Sequence, residues 1–450
     1  CFGDEGEKTC IPGKSTSEEC RMNIMKRFFI KNASLLLPCG LQTGSIEFDS
    51  TITALHRSND SYAPDCECET LDAHGGFVVP GLFDIHTHGA CGADFSDADF
   101  SDRNVLNDIH ECSIHECSNY KCNEFDADSF PLNSPLFRLS RYYLSQGVTS
   151  FLATTMTLCA EELFAAMRSI DAFCRMREEF IKRTPKKLHH LAGAKCIGIN
   201  LEGPFLSSSK RGSQAECNLL APDAALFHQL NAASGGRIKL VTVAPELPGA
   251  FEFIRSVSGC CTVSEGHSAA DYNTAIAAFR AGASHVTHIF NGMNDCLHRS
   301  PGIAGAAADL GIPVELICDG LHVHPAVVRG VFRVFGKKTC LISDSLRCAG
   351  MPDGRYSLGG QEFVLSDGCA ALADGTLAGS AISLADAVRN AVSFGISPSD
   401  AFFAASYAPF ASVFGDSAPF GLECGRAADL AVFDANLNLK AVFMDGERML

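Results

Sequence analysis

The chain has 450 residues, 46% of them hydrophobic, which predicts a large α/β domain with a smaller module beside it. Its formal net charge of −16 argues against nucleic acid and anionic membrane surfaces as partners, so an anionic substrate needs local positive groups. No apolar run approaches the roughly 20 residues that cross a bilayer. The 22 cysteines are scattered without CxxC pairs, and those in apolar runs (Cys196, Cys261, Cys318, Cys340) predict buried thiols in the cytosol.

Both ends of the chain predict parts of one small β-module. Residues 1–23 are polar and lack periodic apolar positions, which is typical of a disordered extension. Residues 24–78 contain short strand-like runs such as RFFIKNASLLL and GSIEF, and residues 425–450 repeat this style around turn residues. The simplest arrangement pairs both ends in one small β-sandwich domain.

Strand and helix patterns alternate between these ends, over residues 79–424. The eight predicted strands are FVVPGLFDIHTH, GVTSFLATT, CIGINLEGP, IKLVTVAP, CTVSEGHS, ASHVTHIFN, PVELICDG and TCLISD, the last followed by a hairpin-like stretch that ends near Gly379. A helical pattern, AEELFAAMRSIDAFCRMREEFIKR, follows the second strand, and a glycine-rich loop is predicted after ASHVTHIFN. The alternation predicts parallel pairing in a (β/α)₈ barrel of the TIM type. An open doubly wound sheet is the alternative, but it would not gather ligand-type side chains from strands so widely spaced.

An acid-rich segment at about 97–135 interrupts this pattern. It carries a repeat of histidines and cysteines: His110, Cys112, His115, Cys117 and Cys122. One interpretation is a solvated insertion on the barrel rim, and the other is an accessory metal site. The spacing matches no common zinc pattern, which favours the insertion.

Metal-ligand side chains end four of the predicted strands. His86 and His88 share one strand face, because side chains alternate with period 2, and packing explains such a pair poorly. Glu202 follows a strand at a Gly-Pro turn and could bridge two ions, and His267 and His288 end two consecutive strands. All strand C-termini of a barrel open onto one rim, so these five side chains should converge there. The ligand set predicts one or two divalent ions per subunit, Zn²⁺ or Fe²⁺.

A lone carboxylate, Asp344, ends the last predicted strand. It could merely cap the following turn. Its place after all the ligands instead predicts a general base that takes a proton from water activated by the metal. Of the other histidines in this region, His285 is predicted to be structural and His324 to start a helix.

These motifs, in this order, resemble the amidohydrolase superfamily and, within it, the N-acetylglucosamine-6-phosphate deacetylase family. They are PGLFDIHTHG, LEGPF, EGHS, THIFNGM, DGLHV and SDS, and the likeness spans all but residues 1–24 and the acidic insertion. The resemblance implies metal-dependent hydrolysis of the acetamide of a phosphorylated amino sugar in amino-sugar catabolism. It also implies that Glu202, His267 and His288 bind metal, and that Asp344 is the catalytic base.

The resemblance further implies the substrate contacts and a homodimer whose phosphate site borrows residues from the partner subunit. The implied contacts are Ser213, Gln214, Asn291, Gly292, Arg299, His322, Leu377, Ala378 and Gly379. Arg299 suits phosphate, because a guanidinium binds it with two hydrogen bonds. The chain departs from some bacterial members, which have Gln-x-Asn instead of His86-x-His88 and use one metal. It also has Ser213-Gln214 where a histidine often reaches the substrate.

Three alternatives stay open from the sequence. A galactosamine epimer could be the substrate, since no motif encodes that hydroxyl. A cyclic amidase or nucleobase deaminase would commonly bridge its metals with a lysine, which no predicted strand end offers. A non-catalytic scaffold is disfavoured, because the whole set of ligands and Asp344 is present.

Overall fold

The computed structural model describes residues 27–57, 68–97 and 130–450. The predicted extension 1–23 and most of the acidic insertion, with its His/Cys repeat, lie outside the described residues. The strands are β1 Arg27–Leu37, β2 Gly40–Phe48, β3 Ile52–Arg57, β4 Cys68–Asp72, β5 Phe77–Pro80, β6 Leu82–Thr87, β7 Gly89–Ala90, β8 Ala93–Asp94, β9 Val148–Thr155, β10 Lys195–Leu201, β11 Ile238–Val243, β12 Thr262–Glu265, β13 His285–Val286, β14 Val314–Ile317, β15 Thr339–Ile342, β16 Gly354–Leu358, β17 Gln361–Ser366, β18 Cys369–Leu372, β19 Leu377–Gly379, β20 Leu430–Phe433, β21 Leu439–Met444 and β22 Glu447–Arg448. The α-helices are α1 Pro135–Ser145, α2 Ala160–Arg183, α3 Ala224–Ala233, α4 Ala250–Val257, α5 Tyr272–Ala281, α6 Gly302–Leu310, α7 Pro325–Phe335, α8 Leu384–Ser393, α9 Pro398–Ala404 and α10 Tyr407–Phe414.

Eight parallel strands form the barrel, in the order β6, β9, β10, β11, β12, β13, β14, β15. These correspond to the eight strands predicted from the sequence, so that prediction is confirmed, except that the FVVP part of the first strand is β5 of the small module. The last strand returns to the first: the amide of Asp344 donates to the carbonyl of His86 at 2.9 Å, and the amide of His88 donates to the carbonyl of Ser345 at 2.9 Å. The returning strand therefore places the carboxyl end of β15 beside His86 and His88.

The helices follow from amphipathic patterns with defined ends. Asp223 and Asp271 accept backbone N–H bonds as the N-caps of α3 and α5, and Gly282 ends α5. Helix α2 has the bounds of its predicted pattern. The segment of α6 was predicted as a glycine-rich loop, and that prediction is wrong. Its alanines favour helix, and its small residues are buried against the barrel.

Both chain ends build the small module, as predicted. Its eight strands are hydrogen-bonded in the order β22, β21, β20, β5, β1, β2, β3, with β4 added beside β1. The sheet curls over its own core, because Phe443 of β21 lies 5.0 Å between ring centres from Phe48 of β2, and Phe28 contacts both rings. Strand β5 ends at Pro80, so the chain passes from this module into the barrel around Gly81.

Two further features follow from the sequence. The predicted hairpin-like stretch is a four-stranded antiparallel sheet, β16 to β19, that ends at Gly379. The four thiols predicted to be buried are free cysteines, and three of them are buried, whereas Cys261 is half-buried. No helix in the described part of the chain has the length and apolarity to span a bilayer.

Candidate metal centre and cavity

Glu202 lies at the centre of a cluster of imidazoles on the carboxyl rim of the barrel. It follows β10 directly, and its Oε1 lies 3.0 Å from Nε2 of His267 and 2.9 Å from Nε2 of His288. The two imidazole nitrogens are themselves 3.1 Å apart. His267 and His288 each lie two residues past the end of their strand, which is why strands β12 and β13 bring them to the same rim.

The second half of the cluster comes from the first and last barrel strands. Oε2 of Glu202 lies 3.2 Å from Nε2 of His88, and Oδ1 of Asp344 lies 3.3 Å from the same atom. Nε2 of His86 is 3.4 Å from Oε1 of Glu202 and 3.6 Å from Oδ1 of Asp344. The ligand atoms of His86, His88 and Asp344 lie within 4.8 Å of one another, as do those of His86, Glu202 and His288.

The backbone of this cluster is strained. His267, His288 and Asp344 have φ of 47°, 22° and 47°, in a region that L-residues rarely adopt. Such strain persists only where the surrounding structure enforces it, and it concentrates at functional sites. Gly292 shows how tight the packing is, because a Cβ there would lie 2.9 Å from Nδ1 of His267.

Hydrogen bonds fix which nitrogen three of the histidines direct at the cluster. Nδ1 of His267 donates to the carbonyl of Lys210 at 2.9 Å, and Nδ1 of His288 donates to the carbonyl of Asn291 at 3.2 Å. Nδ1 of His86 pairs with Oε2 of Glu315 at 2.8 Å. Because these acceptors bind the N–H at Nδ1, the Nε2 atoms face inward, and this is the usual arrangement of metal-bound histidine.

The electrostatics of the cluster demand positive charge at its centre. Burial raises the pKa of Glu202 and Asp344, but the neighbouring imidazoles outweigh it and hold both pKa values below the ordinary range, Glu202 well below. Burial lowers the pKa of His88, yet Asp344 and Glu202 raise it to about 9. Protons or a metal cation can supply the charge, and a divalent ion displaces such protons when it binds. The donor set therefore fits a divalent metal.

A cavity of about 270 Å³ opens above the cluster. Its lining residues come from the strand ends and the loops after them: His88, Met156, Glu202, Gly212, Ser213, Gln214, His267, His288, Asn291, Gly292, Ile317, His322, Asp344, Thr376, Leu377, Ala378 and Gly379. The volume suits a small polar ligand. Among the predicted substrate residues, only Arg299 is absent from this lining. It is exposed on the loop between β13 and α6.

Two of the predicted substrate residues, Gln214 and Ser213, already form hydrogen bonds within the protein. Nε2 of Gln214 donates to Oε2 of Glu202 at 2.7 Å, and its Oε1 accepts from the amide of Thr157 at 2.8 Å. The amide of Gln214 therefore steadies a metal ligand as well as lining the cavity. The hydroxyl of Ser213 donates to the carbonyl of Ala378 at 3.1 Å, which ties this loop to β19.

Sequence reasoning missed two carboxylates that hold histidines of the site. Oδ2 of Asp319 lies 2.6 Å from Nδ1 of His322, which leaves Nε2 of that ring for the cavity. Burial lowers the pKa of His322, but Asp319 outweighs it and raises that pKa. Glu315, in the middle of β14, holds His86 in the same way. The available signal was an acid inside an otherwise apolar strand, PVELI, where a charged residue is rarely buried without a partner.

The predicted roles of the other two histidines agree with the structure. His285 is fully buried in β13, where Oγ of Ser264 lies 3.2 Å from its Nδ1. His324 is the N-cap of α7, and its Nδ1 accepts from the amide of Ala326. Neither histidine lines the cavity.

Comparison with known proteins identifies what this arrangement resembles. The model of the amidohydrolase family matches residues 77–449. N-acetylglucosamine-6-phosphate deacetylase of Bacillus subtilis (strain 168) is 34% identical over 78% of this chain and 76% of its own length. N-acetylgalactosamine-6-phosphate deacetylase of Escherichia coli O157:H7 is 32% identical over 82% of this chain and 87% of its own. Among solved structures, a mutant N-acetyl-D-glucosamine-6-phosphate deacetylase of Mycobacterium smegmatis, in complex with N-acetyl-D-glucosamine-6-phosphate, matches with a TM-score of 0.76 and 27% identity over 94% of this chain and all of that chain.

Proposed function

We propose the following function for this chain, which belongs to the amidohydrolase family: it hydrolyses the acetamide of N-acetyl-D-glucosamine 6-phosphate to D-glucosamine 6-phosphate and acetate. It is a hydrolase of amino-sugar metabolism. The observation that carries this function is the convergence of Glu202, four imidazoles and Asp344 at one small cavity, which all of them except His86 line. That set provides a divalent metal site and an adjacent proton acceptor, which are the two requirements of metal-assisted amide hydrolysis.

The ligand set divides into two neighbouring ion sites. Glu202, His267 and His288 would hold the first ion, and His86, His88 and Asp344 would hold the second, with Glu202 close to the imidazoles of both sites. Imidazole and carboxylate donors suit Zn²⁺ or Fe²⁺. When bound, the metal polarises the amide carbonyl and lowers the pKa of water.

Asp344 is the proposed base. Its carboxylate borders the cavity, and its lowered pKa keeps it ionised and able to accept a proton at neutral pH. It takes a proton from the attacking water while the C–O bond forms, and it returns that proton to the sugar nitrogen as the C–N bond breaks. The second proton of that water leaves the new carboxyl group and is taken up by the amine, so the products are acetate and the protonated amine, with all protons accounted for.

The loops around the cavity would bind the sugar phosphate. His322 offers the cavity a ring whose pKa Asp319 raises, so it would carry positive charge for the phosphate. Asn291, Gly292, Ser213, Gln214 and the backbone of residues 377–379 would contact the sugar and the acetamide.

Arg299 does not line the cavity of a single subunit, so its contact with phosphate would form across a homodimer. Leu297, 56% exposed two residues before it, provides an apolar surface for such an interface.

We propose the cytosol as the location, which the free thiols of the described residues support.

A second candidate substrate is N-acetylgalactosamine 6-phosphate, because the Escherichia coli relative that acts on this epimer is nearly as similar as the Bacillus subtilis relative. A cyclic amidase is less well supported, since no lysine lines the described cavity.

The test is a comparison of kcat/KM for the two N-acetylated sugar phosphates, with the metal content of the same preparation measured. We expect release of acetate from the glucosamine epimer at the higher rate, and none after chelation. Release from neither epimer by metal-loaded protein would contradict the proposal.

A further inference from the structure

Glu315 is a charged residue in the middle of a barrel strand that is otherwise apolar. It lies in β14 between Val314 and Leu316, and its exposed fraction is 0%. Burial of a carboxylate is unfavourable unless hydrogen bonds and opposite charge compensate it. The proposed catalytic steps do not use Glu315, so its presence beneath the rim calls for another explanation.

One oxygen of Glu315 joins the two ion sites. Its Oε2 accepts from Nδ1 of His86 at 2.8 Å and from the backbone amide of His288 at 3.0 Å. An ionised carboxylate only accepts, so Nδ1 of His86 must carry the proton. Nε2 of His86 therefore faces Glu202 and Asp344, where a metal ion that displaces any proton would find its lone pair, and Nε2 has no hydrogen-bond partner among the described residues.

His86 differs in this respect from the ligands of the first ion site. The rings of His267 and His288 are held by backbone carbonyls, which any side chain at those acceptor positions would provide. His86 instead depends on one side chain for its orientation and tautomer. A carboxylate behind a metal-binding imidazole also makes that imidazole more basic, and loss of such a partner typically weakens metal binding by about 10- to 100-fold.

We infer that Glu315 is the positioning residue that gives this centre its second ion: by fixing the ring and tautomer of His86, it completes the divalent-metal site of His86, His88 and Asp344. This inference rests on the two ion sites of the proposed function, and it deepens them. A purely structural role, in which Glu315 only stabilises the barrel core, would make its effect on metal affinity independent of His86.

A double-mutant cycle on metal affinity separates the two roles. The cycle uses Glu315→Gln, His86→Ala and the double variant, each loaded with Zn²⁺, with dissociation constants for both ions from calorimetry and stoichiometry from elemental analysis. Glu265→Gln is the matched control: Glu265 is also fully buried, in β12, and its carboxylate makes no hydrogen bond to any described residue. Glutamine removes the charge but can still accept a hydrogen bond. A further variant of similar volume, Glu315→Leu, therefore removes the acceptor as well.

We expect Glu315→Gln or Glu315→Leu to weaken the second ion by about 10- to 100-fold and to leave the first ion within a few-fold of the unmodified protein. We expect Glu265→Gln to change neither affinity. In the His86→Ala background, either substitution of Glu315 should add no further loss for the second ion.

Three results would overturn the inference: equal weakening of both ions, the same loss with and without His86, or unmodified protein that binds one ion only. Should the leucine variant fail to fold by circular dichroism, the glutamine cycle alone decides, and an unchanged affinity for the second ion in Glu315→Gln then overturns the inference. A protein that binds two ions in this Glu315-dependent way and yet deacetylates neither sugar would contradict the proposed function and leave this inference intact.

Discussion

Replacement of Asp344 by asparagine removes the proposed base and also the carboxylate donor of the second ion site. The side chain keeps its shape, but it loses the charge that lies 3.3 Å from Nε2 of His88, together with the ability to take a proton. Loss of a general base typically lowers the rate by about 10²–10⁴. The described neighbours are poor substitutes: both oxygens of Glu202 already contact imidazoles or Gln214, and His322, whose pKa Asp319 raises, favours the protonated state that cannot accept a proton. We therefore expect a loss in kcat of about 10³–10⁴, or about 4–5.5 kcal/mol in the barrier.

The assay is steady-state release of acetate at saturating Zn²⁺, with metal content measured on the same samples, because Asp344 also belongs to the second ion site. Asp309→Asn is the matched control, since it makes the same change on an exposed carboxylate of α6. A kcat within a few-fold of normal in metal-loaded Asp344→Asn would refute the assignment and move the proton transfer to another group.

Three further predictions concern metal and phosphate. A Glu202→Ala, His267→Ala double variant should lose the first ion in elemental analysis, and unchanged stoichiometry would contradict the ligand assignment. Arg299→Ala should raise KM roughly 10- to 150-fold for the phosphorylated sugar, the equivalent of about 1.5–3 kcal/mol, and far less for the unphosphorylated one; equal effects would show a role in folding or dimerisation. Because Asp319 raises the pKa of His322, KM for the phosphorylated sugar should rise as pH increases through that pKa, and Asp319→Asn should move this rise to lower pH. An unmoved profile would exclude His322 as the titrating cation.

The barrel and the cluster could be predicted from sequence because both depend on local patterns. Each barrel strand is a short apolar run, and five of the six clustered side chains are histidine or glutamate at or just past a strand end. Parallel closure of the strands then determines that they meet. His86 and His88 are the simplest case, since alternation along one strand places both on the same face.

The remainder depends on contacts that no local pattern encodes. Glu315 bonds to His86 across 229 residues, and Gln214 turns toward Glu202 because the amide of Thr157 holds its oxygen. The position of Arg299 outside the cavity depends on the path of an exposed loop. Helix α6 was missed because glycines at its start and end suggested a loop, whereas the alanines between them pack on the barrel.

The central claim is that this cavity is a metal-dependent deacetylase site, and the most direct measurement is a titration of activity against bound metal. Chelated protein is returned to Zn²⁺ in steps, and acetate release from N-acetyl-D-glucosamine 6-phosphate is measured at each step. The account predicts no turnover without metal and activity that rises in proportion to the ions bound, up to one or two per subunit. Full activity in metal-free protein, or no turnover at full occupancy, would contradict it.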